Sequence, residues 1–346
     1  MILPDHSKPV SALGVEYHKG GLFLPRLGLW LDPHRPKPGP VFVSHAHSDH
    51  TARHKEVILS QPTARIMRLR LGGERVEHML AYGMAREFQS GEVPFRITLL
   101  PAGHILGSAM AFIEAEGETL LYTGDFKLRK GLAAEPCELR EADTLVMETT
   151  FGRPGYVFPP EETVFAELGQ FCRTALDDGI TPVLLAYSLG KSQEVLRGLE
   201  AEGFKFALHE QVYRITRLYA ELGMRFPPFE LFDPESVAGK VIVWPPGAMR
   251  SKLLSGVGEM RRAVVTGWAL DSSCRYRFGV EAAFPISDHA DYPDLIEAVK
   301  RVNPRRVWTL HGYASEFAGV LRQAGCDALA LSEPDQLTLA LGAVGG

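Results

Sequence analysis

Apolar residues recur along this chain in short bursts closed by polar turns, and the rhythm changes twice. In the first half the bursts at 41–43, 95–100, 109–114, 119–123 and 144–147 have strand length, and 115–118 between two of them has hairpin chemistry. A Gly-, Pro- and aromatic-rich stretch at 154–160 ends this pattern. Helical periodicity then dominates at 161–176, 191–202 and 211–222, alternating with strand-like runs at 182–186, 204–208 and 240–244. Such alternation predicts an inserted domain of βα units. Beyond residue 283 the first rhythm returns as a polar loop, a helix at 292–302, a strand at 306–310 and a helix at 314–324. The organisation expected is one domain assembled from 1–155 and 284–346, with a second over 156–283.

Composition narrows the classes. With 346 residues, 45% of them hydrophobic, the chain can bury a large core and divide into two lobes. A formal charge of −5 and a pI near 6.2 exclude a uniformly basic nucleic-acid coat, so any such site must be a local patch. Cys137, Cys172, Cys274 and Cys326 are scattered, and residues 1–10 have no secretory pattern; reduced thiols in a cytoplasmic protein are expected. Gly, Pro or charge interrupts every apolar stretch before membrane length, so no membrane partner is expected.

The candidate chemistry sits where the strands end. Directly after Val41-Phe42-Val43 comes Ser44-His45-Ala46-His47-Ser48-Asp49-His50, three imidazoles and a carboxylate in six positions. Nitrogen donors with one hard oxygen suit Zn²⁺, Mn²⁺ or Fe²⁺ better than Ca²⁺ or Mg²⁺. His45 and His47 alternate along an extended segment and can point the same way, with Asp49 and His50 following as the chain enters a helix. Further strands deliver His104, Asp125, Glu148 and His311, and the returning polar loop carries Asp288 and His289. A lone His or Asp is more often structural; recurrence at successive strand ends makes these a set. Two metals about 3.5–4 Å apart with a shared carboxylate need about this many ligands.

These motifs resemble those of the metallo-β-lactamase fold: the HxHxDH loop, His104 in Ala102-Gly103-His104-Ile105-Leu106-Gly107-Ser108, and Tyr122-Thr123-Gly124-Asp125. Asp32 before Pro33 resembles that fold's early strand-end Asp, which orients the histidine loop; otherwise it simply initiates a turn. Met147-Glu148-Thr149-Thr150-Phe151-Gly152, Ile286-Ser287-Asp288-His289-Ala290-Asp291-Tyr292 and Leu310-His311-Gly312 resemble motifs A, B and C of the β-CASP nucleases. The resemblance implies an αββα sandwich with an inserted α/β cap and two divalent ions, Zn or Mn. One ion would fall to His45, His47 and His104, the other to Asp49, His50 and His311, with Asp125 bridging. His289 would be the general acid or hold the scissile phosphate, Glu148 would orient it, and a hydroxide between the metals would attack. Asp49 and Asp32 count with the catalytic set.

Within the family the chain resembles the bacterial exonucleases associated with an ATP-dependent DNA ligase and a helicase. This implies DNA cleavage from an end, in repair, with those two enzymes as pathway partners. His311 points the other way, because DNA cross-link repair members commonly carry Val at motif C and RNA-processing members His. An RNA-processing β-CASP ribonuclease is therefore the alternative, and a small-molecule metallo-hydrolase a more distant one. Among weaker signals, Leu189-Gly190-Lys191-Ser192 echoes a P-loop, but Leu185 occupies the required upstream glycine position, so no nucleotide cofactor is expected. Ser188 and Lys191 remain candidates for phosphate contacts at a helix start. Lys127, Arg129 and Lys130, beside Asp125, are candidates for lining a strand-binding groove, with Arg65, Arg68, Arg70 and Arg75 next.

Overall fold

The computed structural model describes residue 11, residues 13–18 and residues 20–331. The expectation of no targeting segment in residues 1–10, and the end of the 284–346 segment, lie outside the described residues. Three sheets organise the rest. The first contains, in spatial order, Glu16–His18, Gly21–Leu24, Leu29–Leu31, Val41–Phe42, Glu56–Ser60 and Val76–Leu80. The second runs Asp327–Ala330, Arg306–Leu310, Thr144–Glu148, Glu118–Tyr122, Ala109–Ala115, Phe95–Pro101, Ala85–Phe88. The returning C-terminal strand Arg306–Leu310 thus pairs in parallel with Thr144–Glu148.

Strand alternation sorts the side chains into layers. Leu120, Tyr122 and Val146 face Leu22, Leu31, Phe42 and Ile58 across the two sheets. Leu121, Leu145 and Met147 face the other way, onto helices Tyr292–Val302 and Ala314–Gln323. On the far side, Val41, Val57 and Leu59 pack beneath helix Gln61–Leu71. The result is a helix–sheet–sheet–helix sandwich.

The third sheet is entirely parallel: Phe229–Leu231, Phe206–Leu208, Val241–Trp244, Thr181–Leu185, Met260–Val265, Ala282–Phe284. Leu184 packs on one face and Val183 and Leu185 on the other. Both faces being covered, these strands read as continuous apolar runs. Helices Glu161–Asp177, Lys191–Gly198 and Glu210–Glu221 accompany them. The last of these also reaches the sandwich, where Ile215, Leu218 and Tyr219 join Ala46, Ile105 and Leu189.

Two local expectations change. The helix expected over 191–202 ends at Gly198 and resumes as the 3₁₀ turn Glu200–Glu202. At Gly198 a Cβ would stand 2.1 Å from the Phe165 ring, so the close helix contact requires glycine where it weakens the helix. No helix begins at Asp49 and His50 either; 47–55 are turns and irregular chain. Here side chains hold the backbone instead: His54 Nε2 donates to the Pro33 carbonyl at 2.9 Å, and the helix waits until Ser60 caps Gln61–Leu71. Among the described residues no helix is long and apolar enough to cross a membrane.

Candidate metal centre

Loops at the ends of Val41–Phe42, Phe95–Pro101, Glu118–Tyr122, Thr144–Glu148 and Arg306–Leu310 converge at one end of the sandwich. Backbone shape allows the approach. Gly124 has φ +54°, and a Cβ there would lie 2.5 Å from that of Ser44, so only glycine brings Asp125 against the histidine loop. Asp32 (φ +43°) and His311 (φ +60°) hold the left-handed conformation without being glycine. Local strain of this kind persists where surrounding bonds fix it. Asp32 accepts from Ser44 N at 2.7 Å and Tyr122 Oη at 2.9 Å, and the Ser44 hydroxyl also donates to it. The His311 carbonyl accepts from Thr149 Oγ1 at 2.7 Å.

His45, His47, His104 and Asp125 present ligand atoms within 4.8 Å of one another. His47 Nδ1 stands 3.0 Å from His45 Nε2 and 3.1 Å from His104 Nε2. Those nitrogens carry no proton, because the opposite edge of each ring donates. His47 Nε2 donates to the Leu189 carbonyl at 3.1 Å, and His104 Nδ1 to the Asp288 carbonyl at 2.7 Å. His45 Nδ1 donates to Ser44 Oγ at 3.0 Å, whose own proton goes to Asp32. Burial lowers the pKa of all three, to about 3 for His104, where the neighbouring His289 adds to it. Three neutral imidazoles therefore aim lone pairs at a common centre, with Asp125 Oδ2 at 3.5 Å from His45 Nε2. Donors bound to tetrahedral zinc at ~2.0–2.1 Å stand about 3.3 Å apart, so this set fits a cation.

Of the second group, His50 meets the same carboxylate oxygen, and among the described residues neither Asp49 nor His311 joins a group of three ligand atoms within 4.8 Å of one another. Asp125 Oδ2 lies 3.3 Å from His50 Nε2, and His50 Nδ1 faces Asp32 Oδ2 at 2.9 Å. Asp49 reaches within 3.7 Å of His50 Nε2 with its side chain largely in solvent, and the His311 ring centres 5.7 Å from that of His50. Burial alone would lower the His50 pKa, but Asp125 and Asp49 outweigh it and raise it well above the ordinary value. Burial would likewise raise Asp125, yet His50 holds it well below the carboxylate range. His311 is lowered by burial and by His50.

Beside this centre stands a dyad. His289 Nδ1 donates to Glu148 Oε1 at 2.9 Å, and Glu148 is pinned by Phe126 N at 2.9 Å and by the Thr150 hydroxyl. Burial would depress His289, but the Glu148 carboxylate prevails and holds its pKa up at about 10. Nε2 remains to face the site, with the His104 ring 4.7 Å away between centroids.

Most of the basic residues expected to line a groove are held by other protein groups. Lys127 is buried, 2.6 Å from Glu161 Oε1 and 3.1 Å from Glu194 Oε1, so it ties the sandwich to two helices of the inserted domain. Arg129 pairs with Asp291 and donates to the Phe158 carbonyl at 3.1 Å. Of this trio only Lys130 is exposed. Arg65 pairs with Glu221, Arg68 and Arg75 with Glu77, and Arg70 donates to the Ala46 carbonyl. Lys191 is likewise buried, 3.0 Å from Asp288 Oδ1, and Ser188 Oγ meets Gln211 Oε1 at 3.5 Å; both are held by protein groups. Ser44, Tyr122, Thr149 and Asp288 stand inside the sequence motifs but were not expected to contribute to the site. Glu194, which also accepts from Leu132 N and Ala133 N, carried no signal at all.

No family model matches the chain. A protein of Opitutus terrae described as a probable DNA ligase is 50% identical over 323 residues, 93% of this chain and 31% of that protein. An RNase J-like protein of Methanocaldococcus jannaschii is 27% identical, covering 45% of this chain and 42% of its own. The 5′ exonuclease Apollo of Danio rerio is 26% identical, covering 76% and 46%. The chain thus spans less than half the length of each of these relatives. With its sandwich, inserted α/β lobe and histidine cluster, the chain is similar to the β-CASP nucleases of the metallo-β-lactamase fold.

Proposed function

We propose that this chain is a two-metal phosphodiesterase that cuts DNA from an end. The observation that supports it is the set of bare imidazole nitrogens of His45, His47 and His104 aimed at one point beside Asp125. These residues would hold one divalent ion, and Asp49, His50 and His311 the other, with Asp125 shared. Zn or Mn suits the mixed nitrogen and oxygen donors. When bound, such ions act as Lewis acids and lower the pKa of water towards ~7. Asp32 orients the histidine loop through His50 and Ser44. Glu148 keeps Nδ1 of His289 occupied and the ring charged, so Nε2–H can hold the scissile phosphate or protonate the leaving oxygen.

The probable DNA ligase and the 5′ exonuclease among the relatives favour DNA, a place in repair beside a ligase, and 5′ ends. The family resemblance adds a helicase partner to this reading, and the scattered cysteines add a cytoplasmic setting. Two observations favour RNA as a second reading: His311 at motif C, and the RNase J-like relative. End-labelled single- and double-stranded DNA and RNA, incubated with Mn²⁺, Zn²⁺ or Mg²⁺, separate these readings by their product ladders. Degradation of DNA from one end is expected. Faster RNA cleavage would replace DNA with RNA as the substrate, and turnover of nitrocefin or a thioester with no nuclease activity would overturn the proposal.

A further inference from the structure

Other cations flank the histidine loop in sequence: Arg35, Lys37 and Arg53. Arg35 and Arg53 are exposed, and among the described residues neither they nor Lys37 have an acidic partner within ion-pair distance. Lys37 instead sits with its ammonium 4.1 Å from the centre of the Trp30 ring. Trp30 stacks on Phe23 with centroids 4.5 Å apart and planes 26° from parallel, and His18 closes on the same ring at 5.5 Å. Both stacked rings are only half-buried.

Chain neighbours and hydrogen bonds link this surface to the candidate centre. Asp32, which holds His50, is followed by Pro33 and His34. Pro33 accepts from His54, next to Arg53, and His34 N donates to the Gly20 carbonyl at 3.0 Å, beside the Trp30 strand pair. Burial and Arg35 lower the His34 pKa, while Asp49 of the histidine loop raises it; the two segments feel one another's charge. Arg35 and Arg53, which have no acidic partner among the described residues, and Lys37 over the Trp30 ring join a stacked aromatic pair and match the recipe for a single-stranded nucleic acid: phosphates on the cations, bases on the rings.

Building on the nuclease reading, we propose that Arg35, Lys37 and Arg53 with Trp30 and Phe23 form the track along which single-stranded nucleic acid lies as it reaches the metal centre. The test uses the metal-loaded protein and a labelled, cleavage-resistant phosphorothioate oligothymidylate, read by fluorescence anisotropy over a salt series. Each single-strand phosphate contact contributes about −0.7 to the slope of log affinity against log salt. Combining Arg35→Ala, Lys37→Ala and Arg53→Ala should therefore flatten the slope by about 2. Combining Arg65→Ala and Arg68→Ala, whose guanidiniums face carboxylates, should leave it unchanged. Trp30→Phe, which keeps an aromatic ring in place, should remove most of the tryptophan quenching caused by the oligonucleotide. An unchanged slope in the triple variant overturns the cationic half of the track, and undiminished quenching in Trp30→Phe overturns the stacking half. Cleavage of ordinary oligothymidylate by the wild type, run in parallel, tells the failures apart. Cleavage with an unchanged slope removes the track alone, whereas neither cleavage nor binding removes the nuclease reading and the track with it.

Discussion

The histidines at the strand ends and the Lys127 cluster under the inserted domain are both buried, yet they meet burial in opposite ways. Lys127 stands between Glu161 and Glu194, and Glu194 spends its remaining lone pairs on the N–H groups of Leu132 and Ala133. Burial alone would lower the Lys127 pKa, and its two carboxylates raise it instead. Around Asp125 every proton of His45, His47 and His104 points outward to Ser44, Leu189 and Asp288, leaving acceptors facing acceptors. Buried charge that is internally matched holds lobes together; buried lone pairs that are matched only from behind await a cation.

Breaking the inner side of that contrast should have the largest effect. Asp125→Ala is expected to abolish cleavage and strip metal while the far-ultraviolet circular dichroism stays native. Full activity with bound metal would dismiss the shared carboxylate. His289→Ala should slow cleavage by roughly 10²–10⁴-fold, the usual worth of general acid catalysis, with metal content near wild type. His311→Ala should instead lower metal occupancy, and elemental analysis of the two proteins decides whether that division of labour exists.

Breaking the matched cluster should move stability and leave the metal alone. Lys127→Met strands two carboxylates, a loss of about 3–5 kcal/mol in urea unfolding at neutral pH. If metal is lost in proportion, the two clusters are not independent. A smaller effect sharpens the same point at Asp294, which burial and Asp291 push up to about 6 although Arg129 pulls it down. A carboxyl with a raised folded pKa binds its proton more tightly in the folded state. Its contribution to stability is therefore present below the unfolded value, and it is lost as pH rises through about 6. The melting temperature of Asp294→Asn should change less across that interval than that of the wild type.

Sequence pattern revealed the strands that end in His, Asp or Glu, because a compact apolar run followed by a polar loop is a strong local signal. It was silent on Glu16–His18, Gly21–Leu24 and Val76–Leu80, where exposed and buried positions mix in short segments at the sandwich rim. The candidate ligands were legible as residue types, but which edge of each imidazole faces inward was not, since that depends on carbonyls such as Leu189 and Asp288. The pairing of the basic residues was hidden for a similar reason. Lys127 adjoins Asp125 in sequence, yet its partners come from Glu161 and Glu194, and no local pattern announces that pairing. Arg35, Lys37 and Arg53 sit in irregular chain with no periodicity to set them apart.

The bond from His47 to the Leu189 carbonyl also has a bearing on the order of events during synthesis. His47 leaves the ribosome early, whereas the group that sets its tautomer belongs to the inserted domain, and His311 follows later still. On the two-metal reading proposed above, a nascent chain that has made only the histidine loop would hold an unfinished chelator, and metal capture would be a late step, coupled to closure of long-range contacts rather than to local folding.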